Sequence, residues 1–141
     1  MMGYLLDTNI PSELIRTQPN PQVVEWVSCQ DESSLFISVI TLGELWKGFT
    51  LLSDGHRRTK LETWFKNEFL YWFRGRILPI SEAVSIQWGI FEGERQLTGR
   101  PLNTADGLIA ATAFAHNLTI VTRNTKDFYG LNLNLLNPWE P

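Results

Sequence analysis

Residues 4–9 read Tyr-Leu-Leu-Asp-Thr-Asn (YLLDTN), and the reading of this stretch decides the fold. Three apolar side chains in a row begin as a strand buried on both faces does, without polar alternation. The run stops on a carboxylate, Asp7, where an uncharged turn residue would have no charge to desolvate. A short apolar run handing over to a helical pattern is the form of a strand in a parallel sheet with its crossover helix.

The same alternation repeats outward from there. Residues 35–40 (LFISVI), 77–80 (ILPI) and 119–122 (TIVT) join residues 3–6 as strands, with 133–137 (LNLLN) a weaker fifth. Helical patterns cover 11–17, 21–29, 41–52, 57–73, 82–97 and 104–115. The order predicts an α/β sandwich with a mostly parallel central sheet of about five strands. Ligands in such sheets bind beyond the carboxyl ends of the strands, near a switch point in strand order. Asp7 lies on that edge.

Apolar residues at 43% and charged residues at 19% describe a globular chain, not a disordered one. No repeat, low-complexity tract or linker divides it, so residues 1–141 are expected to form a single domain. No apolar run approaches the roughly 18 residues of a membrane span, and no signal peptide precedes Asp7. The single cysteine, Cys29, cannot form an internal disulfide, which makes a reducing cytoplasm the expected compartment. A net charge of −3 speaks against a broad nucleic-acid-binding face but not against a local basic rim. Arg57, Arg58 and Lys60 cluster, and Arg74 and Arg76 follow an aromatic stretch; the plainer reading of both groups is a solvated helix face.

The chain has five aspartates. Asp31 and Asp54 lie in polar loops, whereas Asp7, Asp106 and Asp127 lie beside apolar elements, as Glu44 does. Singly, each has a structural explanation. Thr41 to Glu44 matches a capping box, Asn103 to Asp106 is a looser version of it, and Asp127 suits a turn. Jointly, Asp7, Glu44 and Asp127 each follow a strand and Asp106 opens a helix leading into one, positions that a parallel sheet gathers on one edge. Four independent caps do not require that convergence; a shared site does.

Two carboxylates about 4 Å apart repel by roughly 4 kcal/mol at an effective dielectric near 20. Either some protonate or a cation joins them. No thiol or imidazole accompanies the acids, since His56 lies in a polar loop and His116 ends an alanine-rich helix. An all-oxygen donor set suits Mg²⁺ or Mn²⁺ and not Zn²⁺. Mg²⁺ is commonly shared between carboxylates and a phosphate, which points to metal-assisted hydrolysis of a phosphoester.

Four segments, YLLDTN, TLGELWKG (41–48), ADGLIAATA (105–113) and VTRNTKDF (121–128), resemble in order and spacing the acidic motifs of PIN-domain ribonucleases. They are most similar to those of VapC-type toxins of toxin–antitoxin pairs. The resemblance implies a PIN-like three-layer α/β/α sandwich and cleavage of RNA with Mg²⁺ or Mn²⁺. It places Asp7, Glu44 and Asp106 around the metal, has Thr8 and Asn9 orient the first acid, and has Thr122 support a fourth position. Many relatives carry Asp directly after the Thr-Arg pair, where this chain has Asn124. Asp127 is then the expected fourth carboxylate, with Asn124 the neutral alternative.

The resemblance also implies a VapB-like antitoxin and a homodimer. Leu61 to Gly75 is apolar over more than one stripe, which fits either a doubly buried helix or a partner surface. Candidate phosphate contacts are Arg57, Arg58, Lys60, Arg74, Arg76, Arg100 and Arg123. Two rival functions stay open: a non-catalytic PIN-like module that binds RNA or protein, and a haloacid-dehalogenase-like phosphatase with Asp7 as nucleophile. The latter usually needs a second Asp two residues on, where this chain has Asn9. Neither GxGxxG nor GxxxxGK[ST] occurs, so a nucleotide-binding loop has no support.

Overall fold

The structure, a computed structural model, describes residues 3–140. Strands β1 (Tyr4–Leu6), β2 (Leu35–Ser38), β3 (Ile77–Leu78), β4 (Thr119–Val121) and β5 (Leu135–Leu136) form one sheet in the order β3-β2-β1-β4-β5. Every neighbouring pair is parallel. β1 is central, with Leu5 opposite Phe36 on one side and Ile120 on the other. The chain winds first toward β3 and later returns to add β4 and β5, so the strand order reverses between β1 and β4. Asp7 and Thr122 occupy the carboxyl ends of those two strands.

Helices α1 (Asn9–Leu14), α2 (Pro21–Ser28), α3 (Val39–Leu51), α4 (His56–Trp64) and α5 (Leu70–Trp72) precede α6 (Glu82–Leu97) and α7 (Thr104–His116). Successive strand residues feed opposite layers. Leu6 and Val121 join Ile10, Leu45, Phe65 and Phe69 on the α1–α5 side. Leu5 and Ile120 join Val84, Phe91 and Ile109 on the α6–α7 side. Both faces of the sheet are thus covered, which is why its strands lack a polar alternation. No helix among the described residues is long and apolar enough to cross a membrane.

Three boundaries differ from expectation in ways that bear on the site. β2 ends at Ser38, whose hydroxyl accepts from the Ile40 N–H at 3.0 Å and caps α3. The apolar Val39 and Ile40 are already helical, so Thr41 and Glu44 lie inside the helix and form no capping box. α1 opens at Asn9 rather than Pro11, with the proline in its first turn, where a missing N–H costs nothing. The expected 57–73 helix is α4, a π-turn over Phe65–Phe69, and α5 in continuous succession. The wider turn underwinds the helix, which keeps Leu61, Phe65, Phe69 and Phe73 on one buried face.

Candidate active site

Asp7 is buried at the end of β1, and both of its oxygens are engaged. Oδ1 accepts from the Thr8 N–H at 2.8 Å, and Oδ2 accepts from the Thr122 hydroxyl at 2.8 Å. Thr122, wholly buried at the end of β4, also accepts from the Asn9 amide (3.2 Å) and the Asn124 N–H (3.1 Å). Its one proton and two lone pairs are all used, so its rotamer is fixed by three partners. Asn9 completes the ring by accepting from the Arg123 N–H at 3.4 Å.

Glu44 reaches the same edge from the second turn of α3. Its Oε1 accepts from the Thr8 hydroxyl at 2.6 Å. The Thr8 oxygen lies 3.1 Å from that of Thr41, and since Thr8 gives its proton to Glu44, Thr41 is the donor between the two hydroxyls. Thr41 is wholly buried. It belongs to this network, a role its reading as a cap had hidden.

Asp106 sits in the first turn of α7. Asn103 caps that helix, accepting from Ala105 N–H at 2.9 Å and Asp106 N–H at 3.4 Å. The Asp106 carboxyl is therefore released from capping duty. Gly107 follows it, where a Cβ would come within 3.0 Å of the Trp88 indole; only glycine lets α7 approach α6 this closely. Asp127 is carried, exposed, on a 3-10 turn over Thr125–Phe128.

The four acids feel one another. Burial raises the Asp7 carboxyl above the usual range against the pull of the Thr122 and Thr8 hydrogen bonds, and repulsion from Glu44 and Asp127 raises it further. Asp106 is pushed up to about 6, first by burial and then by Asp7, Asp127 and Glu44. Among the described residues, no three His, Cys, Asp or Glu side chains are placed to hold one metal ion together. The acids form a funnel, two fixed at its base and two at its mouth. Neither histidine belongs to it: His56 begins α4, and His116 ends α7 at the pole opposite Asp106.

One residue holding the funnel together was missed by sequence reasoning. Arg95 is buried on α6, and its guanidinium donates to three carbonyls: Arg100 at 3.2 Å, Asp127 at 2.9 Å and Tyr129 at 2.9 Å. It ties the loop leading to Asp106 to the turn carrying Asp127. Nothing in its surroundings in sequence announces this, because its partners lie 5 to 34 residues away.

The candidate phosphate contacts scatter. Arg58 pairs with Asp54 (3.0 Å) and Glu62 (3.3 Å) on its own helix. Arg76 donates to the carbonyls of Glu32, Leu35 and Trp72 and lies over the Trp72 and Phe73 rings, which makes it a strut between β2 and the end of α5. Arg57 and Lys60 line a separate hollow with Arg16, and none of the four acids borders it. Arg74 lies over Tyr71. Only Arg100 shares a groove with Asp106 and Asp127, together with Lys126, which was not among the candidates. Arg123 and Asn124 line the adjoining groove.

An acid-floored crevice at the switch point of a parallel sheet, reached by these four motifs, is the arrangement of a PIN domain, and the PIN domain family model matches residues 4–132. The chain belongs to the PIN-domain family. It is 36% identical to VapC ribonuclease Y4jK of Sinorhizobium fredii, covering 97% of this chain and 98% of that one. It is 38% identical to toxin FitB of Neisseria gonorrhoeae, covering 96% and 97%. The crystal structure of FitAcB from the same organism superposes with a TM-score of 0.92 over 98% of this chain and 99% of that one. A toxin–antitoxin complex from Klebsiella pneumoniae follows at a TM-score of 0.73 and 26% identity, covering 96% and 98%.

Proposed function

We propose that this chain is a divalent-metal-dependent endoribonuclease serving as the toxin of a toxin–antitoxin pair, with Asp7, Glu44 and Asp106 as metal ligands and Asp127 as the fourth carboxylate. The observation that carries this reading is the Asp106 carboxyl, lifted to about 6 first by burial and then by the charges of Asp7, Asp127 and Glu44. Asp7 and Asp106 are both raised, and none of the four acids forms an ion pair among the described residues, so an external cation suits them. Their all-oxygen chemistry fits Mg²⁺ or Mn²⁺. Mg²⁺ commonly takes one or two carboxylates and completes its shell with waters and substrate phosphate, so an open funnel suits it as well as a closed cage. Asp127 is preferred to Asn124 because it shares the groove of Asp106 and acts on both Asp7 and Asp106.

A bound divalent ion supplies Lewis-acid activation of water and neutralises charge on the phosphate. The chain's own contribution is order. Thr122 and the Thr8 N–H fix the Asp7 carboxylate, and the Thr8 hydroxyl fixes Glu44. Asp106 and Asp127 face the groove by which water and substrate enter. Asn9 is spent on Thr122 and Arg123, so no acid stands where the phosphatase reading needs one.

The antitoxin is assigned to an apolar groove of about 290 Å³ between α1, α2 and the α4–α5 segment, lined by Pro11, Leu14, Val27, Trp64 and Trp72 among others. The long aromatic segment thus does both things its pattern allowed, packing one stripe inward and leaving another open. Exposed Ile86, Ile90, Leu97 and Phe114 on the α6–α7 side give the homodimer a surface of its own.

Cleavage of defined RNAs by the purified protein tests the function. Products should appear with Mg²⁺ or Mn²⁺ and vanish with EDTA or in Asp106→Asn. RNA binding without cleavage at saturating ion would transfer the chain to the non-catalytic reading. In cells, induction of the wild type should arrest growth, and induction of Asp7→Asn should not.

A further inference from the structure

Seven of the twelve basic residues, none of them lining the groove of Arg123 and Trp139, are engaged within the protein. Arg16, Arg58 and Arg76 sit in ion pairs, Arg57 and Arg95 on carbonyls, and Lys66 and Arg74 over rings. Around the funnel the pattern is different. Arg100, Arg123 and Lys126 make no side-chain hydrogen bond or ion pair among the described residues. Arg100 and Lys126 border the groove of Asp106 and Asp127. Lys126 also borders the next groove, with Arg123, Asn124, Asn137, Trp139 and Glu140, so the two grooves run on from one another through Lys126.

At the far end Arg123 is built into a platform. Its guanidinium lies 5.3 Å from the centre of the Trp139 ring, and its carbonyl accepts from the Asn137 amide at 3.2 Å. Asn137 in turn accepts from the Trp139 backbone N–H at 2.9 Å, which fixes the chain at Trp139 beside the end of β5. The guanidinium lies over the indole ring and belongs to an exposed residue. Glu140 shares the groove but forms no ion pair with it. The platform also has a set place relative to the acids: Arg123 directly follows Thr122, which holds Asp7, and its N–H is tied to Asn9.

We propose that this groove seats a nucleotide next to the cleaved phosphate, with its base stacked on the Arg123–Trp139 platform and its phosphate on Lys126. The inference rests on the ribonuclease reading and names a substrate subsite for it. A guanidinium plane supported by an aromatic ring is a stacking surface for any unpaired base. A free ammonium between that surface and the acids is where the intervening phosphate must pass.

The test uses Asp7→Asn protein, which keeps RNA intact, and a short fluorescent single-stranded RNA followed by anisotropy. Arg123→Lys retains the charge and removes the plane; it should weaken binding about tenfold with an unchanged salt slope, since stacking on a side chain is commonly worth five- to hundredfold. Lys126→Ala should lower the salt slope by about one. A scan of single abasic sites should find one position whose loss matches that of Arg123→Lys and does not add to it. Thermal melting of each variant should stay unchanged. Binding of Arg123→Lys equal to the background, or a loss that adds to every abasic site, would overturn the subsite and leave the nuclease reading standing. Absence of RNA binding by the background protein itself would overturn both.

Discussion

On the proposed function a metal ion would compete with protons for Asp106, and the raised carboxyl gives the size of that competition. The Asp106 carboxyl stands at about 6 in the folded, metal-free chain against 3.8 in its ordinary state. An ion that needs the carboxylate loses affinity by a factor of one plus ten to the power of the pKa minus the pH. That factor is about 1 at pH 7 and about 11 at pH 5, a tenfold loss from this residue alone. An acid at 3.8 would lose less than about 10% over the same interval. Asp7, whose carboxyl is also raised, steepens the loss further. The sign for stability is opposite. Asp106 holds its proton more tightly in the folded chain than in the unfolded one. Its contribution to stability is therefore fully present below 3.8 and lost as the pH rises through about 6. Mn²⁺ titrations at pH 5, 6 and 7 and constant ionic strength should show affinity falling at least tenfold toward pH 5. Melting curves in EDTA should show Asp106→Asn more stable than wild type at pH 7.5, with the difference shrinking toward pH 5. An affinity independent of pH, or an Asp106→Asn variant that melts lower than wild type at pH 7.5, would refute the claim that burial and the neighbouring acids hold Asp106 above the ordinary carboxylate range.

Two further outcomes follow from contacts elsewhere. Arg95→Met keeps the apolar stem and forfeits three hydrogen bonds to carbonyls, charge-assisted interactions worth roughly 1.5–3 kcal/mol each before water replaces them. It should lower the melting temperature by about 5 °C or more and weaken Mn²⁺ binding by loosening Asp106 from Asp127; Arg95→Lys should recover part of both. Val27→Glu places a charge in the apolar groove remote from the acids, so RNA cleavage should stay at the wild-type rate. Coexpressed antitoxin should then fail to relieve growth arrest, and full neutralisation of Val27→Glu would move the antitoxin to another face.

What was legible in the sequence was what local chemistry writes down. Leu5-Leu6-Asp7 announces a strand with both faces covered and a charge at its end because all three facts belong to neighbouring residues. The order of strands and helices and the four acids followed from the same kind of signal. The α3 start was misread because Val39 and Ile40 are apolar and β-branched and extend the strand pattern, while the cap that ends it is the modest Ser38. That error concealed Thr41, whose partner Thr8 is 33 residues away. Arg95 and Arg76 were illegible for a related reason: their partners are backbone carbonyls, which every residue carries and no motif marks. Lys126 was within reach, since it lies in the quoted VTRNTKDF, but it was overlooked beside Asp127.

The way the acids are held bears directly on what they are for. A protein that only needed carboxylates on this edge would neutralise them with lysine or arginine, as it does at Asp54, Glu62 and Glu32. Here Asp7 and Glu44 are gripped by hydroxyls and an N–H, donors that fix geometry and bring no charge. The nearest buried cation, Arg95, is turned onto carbonyls, so it supports the loops of Asp106 and Asp127 without quenching either carboxylate. Arg100 and Lys126 share a groove with Asp106 and Asp127, and Arg123 lines the next one, yet none of these three cations forms an ion pair among the described residues. On the proposed function, leaving these charges unpaired suits a site that a cation and an anion complete together. A phosphodiester bound with its divalent ion meets both demands, whereas a protein ligand of either charge alone meets one.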